Sequence, residues 1–157
     1  MSHKVKNIIL LNEQTLAAAE VDTQALVDRL LLNTYDSEKL NLTCKYTTGA
    51  GETLNTCGIK VWQYIGSIAE SGFPYSSDIE AAIKADTDNW IQLGDFSITG
   101  GDATFVPTIF EIAGAAAATT YDAQFTFDIV ANKIRISALE TGVAANFGTL
   151  TVNAFIK

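Results

Sequence analysis

Residues 121–138, YDAQFTFDIVANKIRISA, give the clearest signal for the fold because apolar and polar side chains alternate along them. Successive side chains of a β-strand point to opposite faces, so an alternating sequence builds a strand with one buried face. The apolar face of the first strand comprises Tyr121, Ala123, Phe125, Phe127 and Ile129, and that of the second comprises Ile134, Ile136 and Ala138. We predict that a turn near Ala131 and Asn132 joins the two strands in a hairpin.

Several other segments show strand patterns separated by turns. Residues 40–64 have a polar, glycine-bearing centre between segments rich in β-branched and aromatic residues, which predicts a long hairpin. Further strands are predicted at residues 90–99, 103–112 and 149–156. Pro107 marks the second of these as an edge or bulged strand, because proline cannot donate to a ladder. About eight short strands with frequent turns predict an all-β fold, an antiparallel sandwich or a barrel.

Two segments are harder to assign. Residues 16–32 have leucines and a valine at helical spacing, but their Val and Thr content and the neighbouring turns also fit two strands, which we predict. Ser77 and Glu80 have the spacing of a capping box, in which each side chain satisfies a backbone donor of the other residue. One short helix at residues 78–85 is therefore predicted within a long connection between strands.

The length and composition describe one globular domain. The chain has 157 residues, of which 48% are hydrophobic and 18% charged, so it can bury a core without a disulfide or a metal. We predict a single β-sandwich domain at residues 8–157, preceded by an N-terminal arm at residues 1–7. His3, Lys4 and Lys6 make this arm basic, so it is either a solvated terminus or an arm that docks on an acidic neighbour.

Charge and hydropathy argue against two classes of partner. The net charge of -8 disfavours nucleic acid, which is bound through clustered lysines and arginines. The sequence has no apolar run of about 18 residues and no signal-peptide pattern, which predicts a protein without a membrane partner, made in a cytoplasm. In that compartment we predict Cys44 and Cys57 to be buried thiols. A disulfide is the alternative, since a hairpin at residues 40–64 would place them opposite each other.

Residues for catalysis or metal binding are scarce. A catalytic triad needs a histidine, and the single one is His3, in the arm. Cysteines and histidines are too few for a zinc site. Residues 86–89 resemble the start of a calcium loop, but the twelfth position is Ser97 instead of glutamate. Glu111 and Glu140 would form a glycosidase pair only if the fold brought them together. We therefore predict no cofactor, no metal and no enzymatic activity.

The strongest candidate for a binding surface is apolar. In residues 104–112, one strand would carry apolar side chains on both faces, Phe105 and Ile109 on one and Val106, Phe110 and Ile112 on the other. Such an edge strand tends to aggregate unless a partner covers it, so we predict self-association. A loop before the predicted helix is expected to expose two more aromatic residues. The candidate interface residues are Lys4, Lys6, Phe73, Tyr75, Phe105, Val106, Ile109 and Phe110.

Four segments carry a resemblance to a known family. They are QTLAAAEVDTQALVD at residues 14–28, LTCKYTTGAGETL at 42–54, NWIQLGDFSIT at 89–99 and the whole of residues 121–157. In these segments the chain resembles the small β-sandwich auxiliary or decoration proteins of tailed bacteriophage heads. The Asn-Trp turn, the Ile-Arg-Ile strand, the Gly-Thr-Leu motif and the terminal lysine are the most specific features. The resemblance departs at residues 67–88, which look like an insertion.

This resemblance implies both a fold and a role. It implies a jelly-roll-like sandwich on the outer capsid surface of a virion, often a homotrimer, that bridges neighbouring subunits of the major capsid protein without catalytic residues. The alternative is a carbohydrate-binding or receptor-binding module of a phage fibre or tail. That function would require Trp62 and Trp90 to be exposed for sugar stacking, whereas the structural alternative is that they pack between strands.

Overall fold

The computed structural model describes residues 6–19, 21–22, 32–33, 39–66, 83, 86–128 and 133–156. These residues include a short 3-10 helix at Thr87–Asn89. Twelve β-strands lie within them, in the order β1 (Lys6–Thr15), β2 (Val21–Asp22), β3 (Leu32–Asn33), β4 (Lys39–Thr47), β5 (Thr56–Tyr64), β6 (Trp90–Gln92), β7 (Gly94–Thr99), β8 (Asp102–Pro107), β9 (Phe110–Ala113), β10 (Thr120–Asp128), β11 (Lys133–Thr141) and β12 (Thr149–Ile156).

The longer strands form two antiparallel sheets. The order in the first sheet is β1-β12-β4-β10. In the second sheet β11 and β5 lie at the centre, β2 and β3 share the place beside β11, and β6 and β9 share the place beside β5. Each sheet therefore has four strand positions, and most connections cross between the sheets. This is the strand order of a jelly roll, so the predicted all-β sandwich of about eight strands is confirmed.

Alternating side chains from both sheets meet in one core. From the first sheet, β4 buries every second side chain and leaves those between them at least partly exposed. From the second sheet, β5 and β11 supply isoleucines and a valine that are fully buried. The central members of this core are Leu40, Leu42, Tyr46, Ile59, Val61, Ile134, Ile136, Leu150 and Val152. The period-two pattern thus produces two facing apolar layers.

Both predicted hairpins are wrong. Residues 40–64 form β4 and β5 in opposite sheets, where β4 pairs with β10 and β12 while β5 pairs with β11. The strands on either side of Ala131 and Asn132, β10 and β11, also lie in opposite sheets. The pattern is the same in both cases, because an alternating strand can bury its apolar face whichever strand it pairs with. In this fold β4 and β10 are each followed along the chain by a strand of the other sheet, so neither pairs with its successor as a hairpin would require.

The two cysteines consequently face the core from opposite sheets, Cys44 on β4 and Cys57 on β5. Both are buried free thiols, as predicted. Desolvation by burial raises the pKa of each thiol to about 12. At neutral pH they therefore remain protonated and unreactive.

The remaining predictions about the elements fall partly outside the described residues. Of the predicted helix at residues 78–85, only Ile83 is described. Within residues 16–32, β2 and the first residue of β3 are strands, as predicted, and residues 23–31 are not described. β1 begins at Lys6, which lies in register with Ile156, so the end of the predicted arm pairs with the last strand.

Candidate functional site: an exposed hairpin in an edge strand

The edge position beside β5 is filled by two separate strands. β6 pairs with β5 from Trp62 to Tyr64, and β9 pairs with it from Thr56 to Ile59. The chain leaves this ladder between the two strands, and the Leu93 N–H donates to the Val61 carbonyl at 2.7 Å where it departs. The Thr108 N–H donates to the Leu93 carbonyl at 2.7 Å where it returns. These two bonds hold the ends of the segment at residues 94–107, which leaves the edge of the second sheet and is called the excursion below.

The excursion is a β-hairpin made of β7 and β8, which pair from Gly94 with Pro107 to Thr99 with Asp102. Its two-residue turn is Gly100 and Gly101, with φ of 65° and 95°. Two consecutive residues with positive φ define a type I′ turn, which matches the twist of a two-stranded ribbon and strongly favours glycine. The turn chemistry thus specifies a tight ribbon.

Gly94 is required at the base of the hairpin. A Cβ atom at this position would lie 2.4 Å from the Val106 carbonyl oxygen and 2.6 Å from Cζ of Phe105. Real side chains do not approach that closely, so the Phe105 ring lies across the strand only because residue 94 has no side chain. The hairpin therefore begins with a close contact that orients its aromatic face.

One face of the hairpin is apolar and exposed. The exposed fractions are 73% for Phe96, 75% for Ile98 and 38% for Phe105. The two phenylalanines are cross-strand partners whose ring centroids lie 5.6 Å apart in an edge-on arrangement. Among the described residues, no strand other than β7 and β8 joins this two-stranded sheet. The apolar face has the composition of a core face, but no sheet formed by the described residues covers it.

The opposite face of the hairpin is mostly polar and acidic. It carries Asp95, Ser97 and Thr99 on β7 and Asp102, Thr104 and Val106 on β8, of which Val106 is the one large apolar side chain. The sequence from residue 85 to 132 contains acidic residues but no lysine, arginine or histidine. Neither Asp95 nor Asp102 takes part in an ion pair within the part of the chain that is described. The hairpin is thus an amphipathic ribbon whose two carboxylates form no ion pair with the described residues.

The structure separates the predicted interface residues into three groups. Phe105, Val106 and Ile109 are exposed at the hairpin or its base. Phe110 is instead half-buried, and its ring lies 4.8 Å from that of Phe125 at the edge of the core. Lys4, Phe73 and Tyr75 lie outside the described residues, and Lys6 is the first residue of β1.

The prediction of one strand at residues 103–112 with two apolar faces is wrong. The segment divides into β8 and β9 after Pro107, so Phe105 and Phe110 belong to different sheets. Phe96 and Ile98, the most exposed apolar residues of the hairpin, were absent from the predicted interface. Their signal was present in the sequence, because Gly100 and Gly101 lie between two alternating segments and such a dipeptide marks a two-residue hairpin.

The tryptophans pack within the protein. Trp90 is only 6% exposed, and its indole N–H donates to the carbonyl of Ile83 at 3.2 Å. Trp62 is half-buried, and its indole N–H donates to Ser137 Oγ at 2.8 Å. The Arg135 guanidinium lies 4.7 Å from the Trp90 ring centroid and 5.3 Å from that of Trp62. The rings are therefore already occupied by cation–π contacts.

The acidic residues considered for chemistry have structural partners or lie apart. Asp86 accepts hydrogen bonds from the Tyr64 hydroxyl at 2.7 Å and from the Asn89 amide at 2.8 Å, and these bonds lower its pKa. Glu140 faces the core, where it accepts from Tyr46 and from the Gly148 N–H, whereas Glu111 is exposed on β9. Because they face opposite sides of the second sheet, the two glutamates do not form a pair.

The described residues contain no cluster of three or more histidine, cysteine, aspartate or glutamate side chains able to hold a metal ion. No helix among them is long and apolar enough to cross a membrane.

Comparisons with models of protein families, with curated proteins and with solved structures found no match. Within the described residues, the exposed hairpin is the structural feature that bears most directly on function.

Proposed function

We propose that this chain is a non-enzymatic structural protein of a virion, which binds the outer capsid of a tailed phage as a decoration or cement protein. The single observation that carries the proposal is the hairpin formed by β7 and β8, whose apolar face has no partner among the described strands. The resemblance of the sequence supplies the identity of the partner, the major capsid protein.

The energetics of the hairpin support a docking role. A two-stranded ribbon by itself is marginally stable in water, and it gains stability when its apolar face is covered. Burying Phe96 and Ile98 would contribute about 1.5–3 kcal/mol each. That is too little for tight binding by one hairpin after the costs of association, but repeated contacts on a lattice act together. A capsid, with many equivalent sites, provides such a lattice.

Other parts of the proposal follow from the resemblance and the net charge. We propose that the protein is a homo-oligomer, with a trimer favoured, made in the host cytoplasm and then bound to the outer surface of the virion. In this position it bridges neighbouring capsid subunits. The net charge of -8 gives it no reason to bind nucleic acid, and no membrane takes part.

The described residues offer no support for the carbohydrate-binding alternative. It depended on Trp62 and Trp90 as stacking surfaces, whose rings Arg135 already covers in part, and on the aromatic loop at residues 73–75, which lies outside the described residues. Of the exposed phenylalanines among the described residues, Phe96 and Phe105 stand on a narrow ribbon instead of lining a concave site, and Phe147 lies in the loop before β12.

Cosedimentation with capsids tests the proposal. Heads would be prepared from the phage genome that encodes this chain, with the gene for the chain deleted, and mixed with the purified protein. We expect saturable binding at a fixed ratio to the capsid subunits. Absence of saturable binding would reject the decoration role, and selective binding on a glycan array would support the fibre or tail module in its place.

A further inference from the structure

We propose that the partner of the hairpin is an apolar slot rimmed by lysine or arginine on a different polypeptide, and not a second copy of this chain. This inference rests on the proposed function and deepens it by giving the chemistry of the capsid surface. Its grounds are the size of the apolar face, the position of two carboxylates and the sign of the surrounding charge.

The apolar face is too small for a stable symmetric dimer. Phe96, Ile98 and Phe105 together expose on the order of 350 Å², given that one aromatic side chain buries about 150–250 Å² in full. A stable interface buries about 800 Å² on each partner. Two hairpins placed face to face would therefore fall short. A ribbon inserted into a slot is covered on both faces and buries more surface per residue.

Insertion would also bring the polar face close to the partner. Asp95 lies near the base of that face, and Asp102 lies at the turn in register with Thr99. Four residues separate the two levels along β7, which corresponds to about 13 Å at about 3.3 Å per residue. Carboxylates must be paired when they lose water, so the slot needs two cationic groups at that spacing.

The cations cannot come from the neighbouring sequence. Residues 85–132 hold no lysine or arginine, and the hairpin of a second copy would bring the same two carboxylates against this one. Like charges brought together oppose association, whereas a basic rim speeds encounter and fixes the register. A basic partner of different sequence therefore fits the hairpin better than another copy.

The test uses the full-length chain and the same undecorated heads. Phe96→Ser/Ile98→Ser is expected to weaken binding about 100-fold through the loss of buried apolar surface. Asp95→Asn/Asp102→Asn is expected to weaken it about 10-fold and to reduce its dependence on salt. Asp122→Asn/Asp128→Asn removes the same charge from the first sheet, and Leu54→Ser removes another exposed apolar side chain; both controls should bind within about twofold of wild type.

The outcomes separate this inference from the function on which it rests. If wild type fails to bind the heads, both are overturned. If wild type binds and either hairpin variant binds equally well with the same salt dependence, the decoration role stands and the basic slot is rejected. Sedimentation of the free protein tests whether a second copy binds the apolar face instead. If the hairpin variants lose a self-association that the wild type shows, a second copy is the partner and the basic slot is rejected. Urea unfolding of each variant confirms that it folds.

Discussion

The core of the sandwich and the exposed hairpin are built from the same sequence pattern but differ in what covers them. Ile136 in β11 alternates with polar residues and is 0% exposed, because the first sheet lies over it. Ile98 in β7 alternates with polar residues in the same way and is 75% exposed. Alternation therefore specifies a strand and groups the side chains of one face. Whether that face becomes core or interface depends on what the rest of the fold places over it.

Thiol reactivity should show the largest difference between the two regions. Cys44 and Cys57 have pKa values of about 12, whereas an exposed thiol has about 8.5, so their thiolate fraction at neutral pH is roughly a thousandfold lower. In an Ile98→Cys variant, the introduced thiol should react with iodoacetamide about a thousand times faster than the native ones, as followed by mass spectrometry. In urea all three should react alike. Native thiols reacting within tenfold of the introduced one would contradict the sealed core.

The same substitution in both regions gives a matched comparison of stability. Ile136→Ala should lower the free energy of unfolding by about 3 kcal/mol, because it opens a cavity between the sheets. Ile98→Ala should change it by less than about 0.5 kcal/mol, since that side chain already contacts water. Urea titration measures both values. If Ile98→Ala lowered the free energy of unfolding by as much as Ile136→Ala, the apolar face of the hairpin would contribute to the fold. It would then not be a surface available for a partner.

Protonation of Glu52, which holds the loop at residues 144–146, should lower the free energy of unfolding by less than the Ile136→Ala substitution in the core does. The Glu52 carboxylate accepts hydrogen bonds from the N–H groups of Ala144, Ala145 and Asn146, which lower its pKa below the ordinary 4.5. The stability it contributes is present above pH 4.5 and is lost as the pH falls through the folded pKa. Glu52→Gln should therefore have a lower free energy of unfolding than wild type at pH 7, as measured by urea titration. The difference between the two proteins should be smaller at pH 3.

If the difference in free energy of unfolding between wild type and Glu52→Gln stays constant or grows from pH 7 to pH 3, the loop does not depend on the ionised carboxylate. Glu111→Gln, on the exposed surface of β9, is the matched control and should show a smaller gap at both pH values.

The strands and the fold class were predictable from sequence, whereas the pairing of strands was not. Tyr121 to Phe127 and Leu40 to Tyr46 alternate so regularly that their core-facing sides could be assigned directly. The same regularity made hairpins and crossings between sheets equally compatible with the pattern. Only long-range pairing decides between them, and one sequence does not reveal it.

The candidate site was predictable in part. Phe105 was identified because an apolar residue close to Pro107 suggests an edge strand. Phe96, its cross-strand partner, was missed because residues 90–99 were treated as one strand, although Gly94 stands at the break between β6 and β7. Phe110 was assigned to the interface because the sequence pattern shows which face of the strand it lies on but not what packs there. In the structure the Phe125 ring packs against it. Exposure is a property of the assembled fold.

A cryo-electron microscopy map of heads carrying the protein tests the central claim most directly. We predict that Phe96 and Ile98 are buried in a groove of the major capsid protein, with lysine or arginine side chains beside Asp95 and Asp102. A map in which the hairpin stands in solvent while another face of the sandwich contacts the capsid would contradict the account.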